Sequence, residues 1–511
     1  MTTMPTCINT YRARCFDVEA GINVAVLNDE TARRLNIEKG DRILISYGKK
    51  KVLALADYSD KYVKMDEISL FADVSSKLGP CEGKQICVEK AQRPQSLDYI
   101  RKKMDGTSLT EAEIGQIIDD LMVESFSVAE LSAFVTAVYI RGLAPDEIVG
   151  LTKAMVRSGE AMHFPKSSIV ASEHSIGGVA GDRVSMLIVP IVASCGITIP
   201  KTASRAISSA SGTADAMEVL SPVNLTRQQV ENVAKKTGGA LVWGGGVNIA
   251  IADDKLIQVR HPLRLDPSGL LLSSILAKKK AEGAKHVLLD IPVGRGSKID
   301  DLKEANSLAN SFKMLSSRLG MSLNCIITDG SEPAMNSMGP SLEAKAVLET
   351  LADGGKSNSQ LAEKAVIMSS VILQMSKGMD KDKAYALARK KLESGEADEK
   401  FREIIGAQGG NPDVKASQIK LSKEKTCIKS KVDGKVGHID NKSIFRLCRA
   451  LGAPSDKQAG LVLKVKKEQQ IKKGDVLFEA YSSSARSLDY VCSRIDQYPV
   501  IEIEKVILDM I

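Results

Sequence analysis

The 511-residue sequence predicts a multidomain α/β protein: a β-rich N-terminal domain, a helical domain, a central mostly parallel α/β domain and a C-terminal α+β domain. Three observations carry that reading. Residues 1–90 alternate short apolar runs with turns, as in INVAVLND, GDRILISYGKK and KVLALADYSDKY, with hardly any long helical period. From Ser96 the pattern changes to capped helices. From Ile169 strand candidates alternate with helical stretches, as a parallel sheet requires.

The helical domain, residues 91–165, rests on its start signals. Thr110 with Glu113 and Ser127 with Glu130 have capping-box spacing, and Pro145 followed by Asp146 and Glu147 suits a first helical turn. The segment 247–277 is expected to return to this domain, so that the chain crosses twice and leaves a cleft where ligands commonly bind. The central domain, residues 166–412, has strand candidates at Ile169–Ala171, Ala240–Trp243, His286–Ile291 and Asn324–Thr328. The polar break GAQGGNPD, Gly406–Asp413, reads as a linker. In residues 413–511 an amphipathic helix, NKSIFRLCRALGAP, precedes strands LVLKV and VLFEAY joined by KKEQQIKKGD.

Composition excludes several classes of function. Apolar residues make up 43% of the chain, as in a soluble globular protein. No run of about 18 apolar residues is present, and the amino terminus lacks the apolar core of a signal peptide, so a cytoplasmic location away from membranes is expected. Aromatic residues are only 4%, too few for base-stacking platforms. The charge of +7, from 70 basic and 63 acidic residues, suits anionic metabolites without implying nucleic acid. Lys464, Lys466, Lys467, Lys472 and Lys473 surround a hairpin turn and read as a solvated face; an RNA-binding reading rests on them alone. Nine scattered cysteines never form CxxC and five histidines form no ligand pair, so reduced thiols and no metal are expected.

The chemistry points to two turns about thirty residues apart, SEHSIGGVAGD (Ser172–Asp182) and KTASRAISSASGTAD (Lys201–Asp215). Glycine lets backbone N–H groups approach an anion, and Ser and Thr add neutral donors, so such surfaces bind phosphate. The first turn lies between a buried strand and the apolar helix VSMLIVPIVASCG, whose N-terminus near Gly181 and Asp182 would face the anion. Neither GxxxxGK[ST] nor GxGxxG is present, which removes the mechanism of a P-loop or dinucleotide site.

Taken together, HSIGGV, SRAISSASGTAD, LDPSGLLLSSILAKK, DIPVGRGSK and HIDNKSIFRLCRALGAPSDKQAG resemble the thymidine phosphorylase superfamily of nucleoside phosphorylases, and within it the archaeal-type AMP phosphorylases, over nearly the whole chain. The extended N-terminal domain resembles that branch. The resemblance implies phosphorolysis of nucleoside 5'-monophosphates, AMP with CMP and UMP as further substrates. Inorganic phosphate is then a substrate, with no metal or organic cofactor, in a homodimer or larger assembly. It also implies that Gly178, Ser204, Arg205, Ala206, Ile207, Ser208, Ser209 and Thr213 contact AMP or phosphate. Ser274 and Lys298 complete the nucleotide site, and Asp266 is the proton donor. His174, Ser175 and Ser185 match phosphate- or sugar-side positions, and Lys278 a base-binding lysine.

Other readings remain beside these roles. Asp266 directly precedes Pro267, the signature of a helix N-cap, and capping lowers a carboxylate pKa, which opposes proton donation unless burial raises it. Lys278 is one of three lysines at a helix end, where they also satisfy the dipole. Glu173 stands where the superfamily usually has lysine, reversing the charge beside the expected phosphate site. In SEPAMNSMGPSLE the residues Glu332, Met335 and Asn336 also depart from the pattern. A pyrimidine nucleoside phosphorylase and a non-catalytic nucleotide-binding protein are therefore the alternatives.

Overall fold

The computed structural model describes residues 9–206, 209–263 and 265–504; Ile207 and Ser208 of the serine-rich turn lie outside the described residues. The chain divides into two compact units, one formed by the residues up to Gly159 with Ala250–Ser274, the other by Glu160–Ile249 and the residues from Ile275 onward.

In the first unit, β1 (Thr10–Cys15), β2 (Val24–Leu27), β3 (Arg42–Tyr47), β4 (Lys50–Tyr58), β5 (Glu67–Leu70) and β6 (Gln85–Lys90) close into a barrel in the order β1-β5-β2-β4-β3-β6. Period-two alternation fills it: Ile43 and Ile45 pair with Ala54 and Val52, and all four are buried. Closure leaves no exposed strand edge. Cys15 and Cys81 are free thiols in its core, whereas Cys87 on β6 is disulfide-bonded, contrary to the expectation of reduced cysteines throughout.

The helices Ser96–Met104, Glu111–Met122, Val128–Arg141 and Pro145–Arg157 follow the start signals. Thr110 Oγ1 accepts from Glu113 N at 3.2 Å while Glu113 Oε2 accepts from Thr110 N at 2.8 Å, and Ser127 with Glu130 repeats the pattern. Glu147 departs from an ordinary cap, because its carboxylate is buried and holds Lys103 at 2.7 Å as well as Ala144 N. The helix Ile251–Arg260 packs on Val128–Arg141, and Lys255 reaches Glu124 at 2.8 Å.

In the second unit, β7 (Ala171–Ser175), β10 (His286–Val293) and β11 (Ser322–Asp329) form a parallel sheet in the order β11-β10-β7, and β8 (Ile199–Ala203) pairs in parallel with β9 (Gly239–Trp243). Bonds from Ala171 N to Thr198 O and from Thr198 N to Ile169 O, both 2.9 Å, link the two groups of strands. The helix Ser185–Ser194 is buried from Ser185 to Ala193, as a helix apolar on all sides must be.

Three expectations change here. β7 begins at Ala171 and carries Ser172 to Ser175, which the sequence assigned to the turn. β8 was not anticipated, because Pro200, Lys201 and Thr202 disguise a strand that is buried at every position. The polar break is no free linker: Gln408 is buried, its side chain bonding the Leu241 N and O atoms of β9.

Toward the carboxy terminus, β12 (Ser337–Met338), β13 (Lys425–Lys429), β15 (Gly460–Leu463) and β17 (Val476–Tyr481) form one sheet in the order β12-β15-β17-β13. β14 (Gly434–Ile439), β16 (Gln470–Ile471) and β18 (Ile501–Glu504) form another. β15 and β17 pair antiparallel as expected, but their connection donates β16 to β14. The helix Asn441–Leu451 buries Ile444, Leu447, Cys448 and Leu451.

Candidate active site

The first glycine turn is held by charges on the strands beneath it. Parallel pairing sets Ser175 beside Asp290, and Ser175 Oγ donates to Asp290 Oδ2 at 2.9 Å while accepting from Gly177 N at 3.3 Å. Thr328 Oγ1 donates to Asp290 Oδ1 at 2.6 Å. Lys364 Nζ lies 2.7 Å from Asp290 and 3.0 Å from Asp182. Burial opposes the lysine charge, but the two carboxylates more than offset it and raise its pKa. Burial followed by the charge of Asp182 raises the pKa of Asp290, whereas Asp182, though buried, is held low by Lys364 and Arg183.

Gly178 is required by close approach. Its φ is +97°, and a Cβ there would sit 2.6 Å from Lys298 N. The structure thus brings Gly178 and the segment Ser297–Lys298 together. His174, on β7, has its pKa depressed by burial and then by Lys201, Lys279, Lys278 and Lys298, so its ring is neutral near pH 7. Ser185 is buried at the first position of the apolar helix. That helix begins there rather than near Gly181, and Asp182 Oδ1 accepts from Val184 N at 3.3 Å, filling an end position expected to face an anion.

The second turn leaves β8 at Ser204 and enters the short helix Thr213–Met217. A Cβ on Gly212 would lie 2.3 Å from Ser204 O, so the loop folds back on itself. Asp215 closes it, accepting from Ala206 N at 2.7 Å and from Gly212 N at 2.9 Å. Ser209 Oγ donates to Ser211 O, and Thr213 Oγ1 accepts from Arg183. The Arg205 guanidinium, expected to contact AMP or phosphate, is bidentate on Glu218, 3.3 Å from Asp215 and stacked over Trp243.

The other candidates fall as follows. Ser274 belongs to the first unit, where its Oγ donates to Asp253 Oδ2 at 2.6 Å. Asp266, in the same unit, is not enclosed by burial: its side chain is 46% exposed and paired with Arg260 at 2.7 Å. Lys278 is half-buried and Lys298 exposed in the second unit.

Glu173 does not project into the turn as a repelling charge. It is fully buried, with its carboxylate 3.1 Å from Lys201 Nζ. Close by, Lys279 pairs with Glu282 at 2.7 Å, and burial lowers the Lys279 pKa to about 8 against the pull of Glu282. Glu332 Oε1 lies 3.0 Å from His438 Nδ1 and 3.5 Å from Lys467 Nζ, Met335 is buried against Gly181, and Asn336 O accepts from Leu463 N. The altered motif is therefore engaged with the C-terminal sheets. Among the described residues no group of three or more His, Cys, Asp or Glu could hold a metal, and no helix is long and apolar enough to cross a membrane.

Sequence reading missed Arg183, Asp215, Asp290 and Lys364. Arg183 and Asp215 border the two turns and were available to it. Asp290 and Lys364 reach the site only through strand pairing and a contact 182 residues apart in sequence.

The helical part, the parallel α/β part with its glycine turns and the C-terminal α+β part are those of a glycosyl transferase family, as three matches show. Residues 97–159 match the helical bundle domain of the glycosyl transferase family, residues 167–398 its a/b domain, and residues 435–502 the pyrimidine nucleoside phosphorylase C-terminal domain. The fold is shared with anthranilate phosphoribosyltransferase from Thermus thermophilus, at TM-score 0.50 and 18% identity over 61% of this chain and 99% of that one.

The chain belongs to the AMP phosphorylase family. It is 41% identical to AMP phosphorylase 1 of Archaeoglobus fulgidus over 94% of each chain. It is 40% identical to AMP phosphorylase of Pyrococcus furiosus over 98% of this chain and 99% of that one.

Proposed function

We infer that the protein cleaves AMP with inorganic phosphate, giving adenine and ribose 1,5-bisphosphate. The observation that carries this reading is similarity to AMP phosphorylases over almost the full length of both chains. Two hydroxyl- and glycine-rich turns, one after β7 and one after β8, accord with it.

In this reaction a phosphate oxygen bonds to C1' of the ribose as the C1'–N bond breaks. The bonding pair leaves with the base, which takes up a proton. The protein must hold phosphate in line and supply that proton. In this reading Gly178, packed closely against the backbone at Ser297–Lys298, lies on the oxyanion side, and Ser175 is oriented by Asp290. Ser204, Arg205, Ala206, Ser209 and Thr213 form the nucleotide side together with Ile207 and Ser208, and Ser274 and Lys298 complete it. His174, Ser185 and Lys278 serve the sugar, phosphate and base. With its guanidinium bidentate on Glu218, Arg205 contributes through its backbone unless that pair opens.

Asp266, paired with Arg260 at 2.7 Å, is the proton donor in this scheme. CMP and UMP are further substrates, and the enzyme works in the cytoplasm as a homo-oligomer without metal or organic cofactor. Light scattering checks the assembly, and full activity after dialysis against a chelator checks the cofactor statement.

The test supplies AMP, CMP, UMP, uridine and thymidine with phosphate and follows free base. Release is expected from the nucleotides, fastest from AMP, and only with phosphate present. Faster release from the nucleosides would make the protein a pyrimidine nucleoside phosphorylase. Asp266→Asn is expected to lower turnover at least about a hundredfold while AMP still binds, the scale of a lost general acid. Retained turnover would remove Asp266 from the chemistry, and absence of turnover in the unaltered protein would leave a nucleotide-binding protein.

A further inference from the structure

We propose that Arg183 is a positioning residue that ties the two turns together and fixes the Thr213 hydroxyl as a hydrogen-bond donor to phosphate; this rests on the phosphorylase reading of the same turns. Arg183 directly follows Asp182 of the glycine turn and is buried. Its guanidinium spreads over three partners. Nη1 donates to Thr213 Oγ1 at 3.2 Å, Nη2 donates to Ser211 O at 3.2 Å, and Nε lies 3.2 Å from Glu343 Oε2 as a charge contact.

The chemistry of each contact assigns the role. A hydroxyl that accepts from a guanidinium has its oxygen lone pair occupied on that side, so its own proton points elsewhere. Thr213, the first residue of its helix, is thereby left to donate, which is what an anionic oxygen needs. The Ser211 contact pins the preceding backbone, so loop and hydroxyl are set by one rigid group. Glu343 holds that group in place from the helix Pro340–Ala352, accepting from Gly339 N as well. Burial raises the Glu343 pKa, and the Arg183 charge works against that rise. A planar fork of donors can serve three partners at fixed angles, whereas a lysine ammonium cannot hold them all in one plane.

The experiment compares the unaltered protein with Arg183→Lys, Thr213→Val and the double variant. Phosphate KM, AMP KM and kcat are measured, with isothermal titration of inorganic phosphate and thermal unfolding of each protein alongside. Arg183→Lys keeps a cation opposite Glu343. It is expected to fold and to raise the phosphate KM at least about tenfold, the scale of a charge-assisted hydrogen bond, with AMP KM changed far less. Thr213→Val is expected to match it, and the double variant to lose little more than either alone, because both remove one interaction.

An unchanged phosphate KM in folded Arg183→Lys, or losses that multiply in the double variant, would overturn the proposal. If Arg183→Lys fails to fold, Arg183→Gln with Glu343→Gln removes both charges and carries the same expectation. The titration separates this proposal from the functional reading. A protein that does not cleave AMP but loses phosphate binding through Arg183 refutes the reading and keeps the proposal. One that cleaves AMP with phosphate binding indifferent to Arg183 does the reverse.

Discussion

The two turns have similar composition and opposite support. The glycine turn at Ser175–Arg183 is held from below by buried ions: Lys364 between Asp182 and Asp290, with Asp290 in turn holding Ser175 and Thr328. The serine-rich turn is held at its edge by carboxylates that close it on itself, Asp215 on two backbone N–H groups and Glu218 on Arg205. The Glu218 and Arg205 side chains are 31% and 32% exposed, so water competes for that pair as it cannot for Lys364. Small residues are common to both turns; the placement of the charges decides which one is held rigidly. In this account the glycine turn is fixed before phosphate arrives, and the serine-rich turn exchanges internal bonds for ligand bonds.

The largest effect expected from breaking this contrast is Lys364→Met, which leaves two buried carboxylates without their cation and costs about 3–5 kcal/mol of stability. Chemical denaturation measures it, and a loss no larger than that of a surface pair would mean the glycine turn has no such anchor. Asp215→Asn is intermediate. It weakens a cap on Ala206 and Gly212 N–H groups and is expected to cost about 1–2 kcal/mol by the same measurement.

The smallest effect belongs to Glu218. Its hydrogen bond from Arg205, opposed by burial and aided by Lys457, lowers its pKa from 4.5 to about 2. A depressed carboxylate contributes stability above its unfolded pKa and loses it as pH falls through the folded one, so the window runs from 4.5 down to about 2. Screening of a partly exposed pair limits the contribution to about 1 kcal/mol or less. Denaturation of Glu218→Gln against the unaltered protein should show that difference at pH 7 and its disappearance near pH 2. A difference that grows on acidification would give the pair the wrong sign.

Much of the fold was legible in sequence because its signals are local. Thr110 with Glu113 and Ser127 with Glu130 announce helices that form with those caps. The runs at His286 and Asn324 announce β10 and β11 within two residues. β8 was hidden because Lys201 looks exposed until Glu173 is known to lie opposite it, and Glu173 looked like a repelling charge for the same reason. Each polar residue misled alone and makes sense as half of a buried pair. Gly178 is explained by packing, since only glycine tolerates that approach to Lys298 N. Asp290 and Lys364 were not, because nothing local announces a partner brought from so far along the chain. The partner of Arg205 was hidden for another reason: its charge was visible, but Glu218, which pairs with it, is one helix away.

The most direct test of the central claim is a crystal structure of the protein soaked with AMP and sulfate. Sulfate is expected against the glycine turn within hydrogen-bond reach of Gly178 and Thr213, with the Asp182–Lys364–Asp290 contacts unchanged. Sulfate bound elsewhere, or a glycine turn that rearranges with Lys364 released from Asp182 to receive it, would contradict the claim that this turn is the preformed phosphate site.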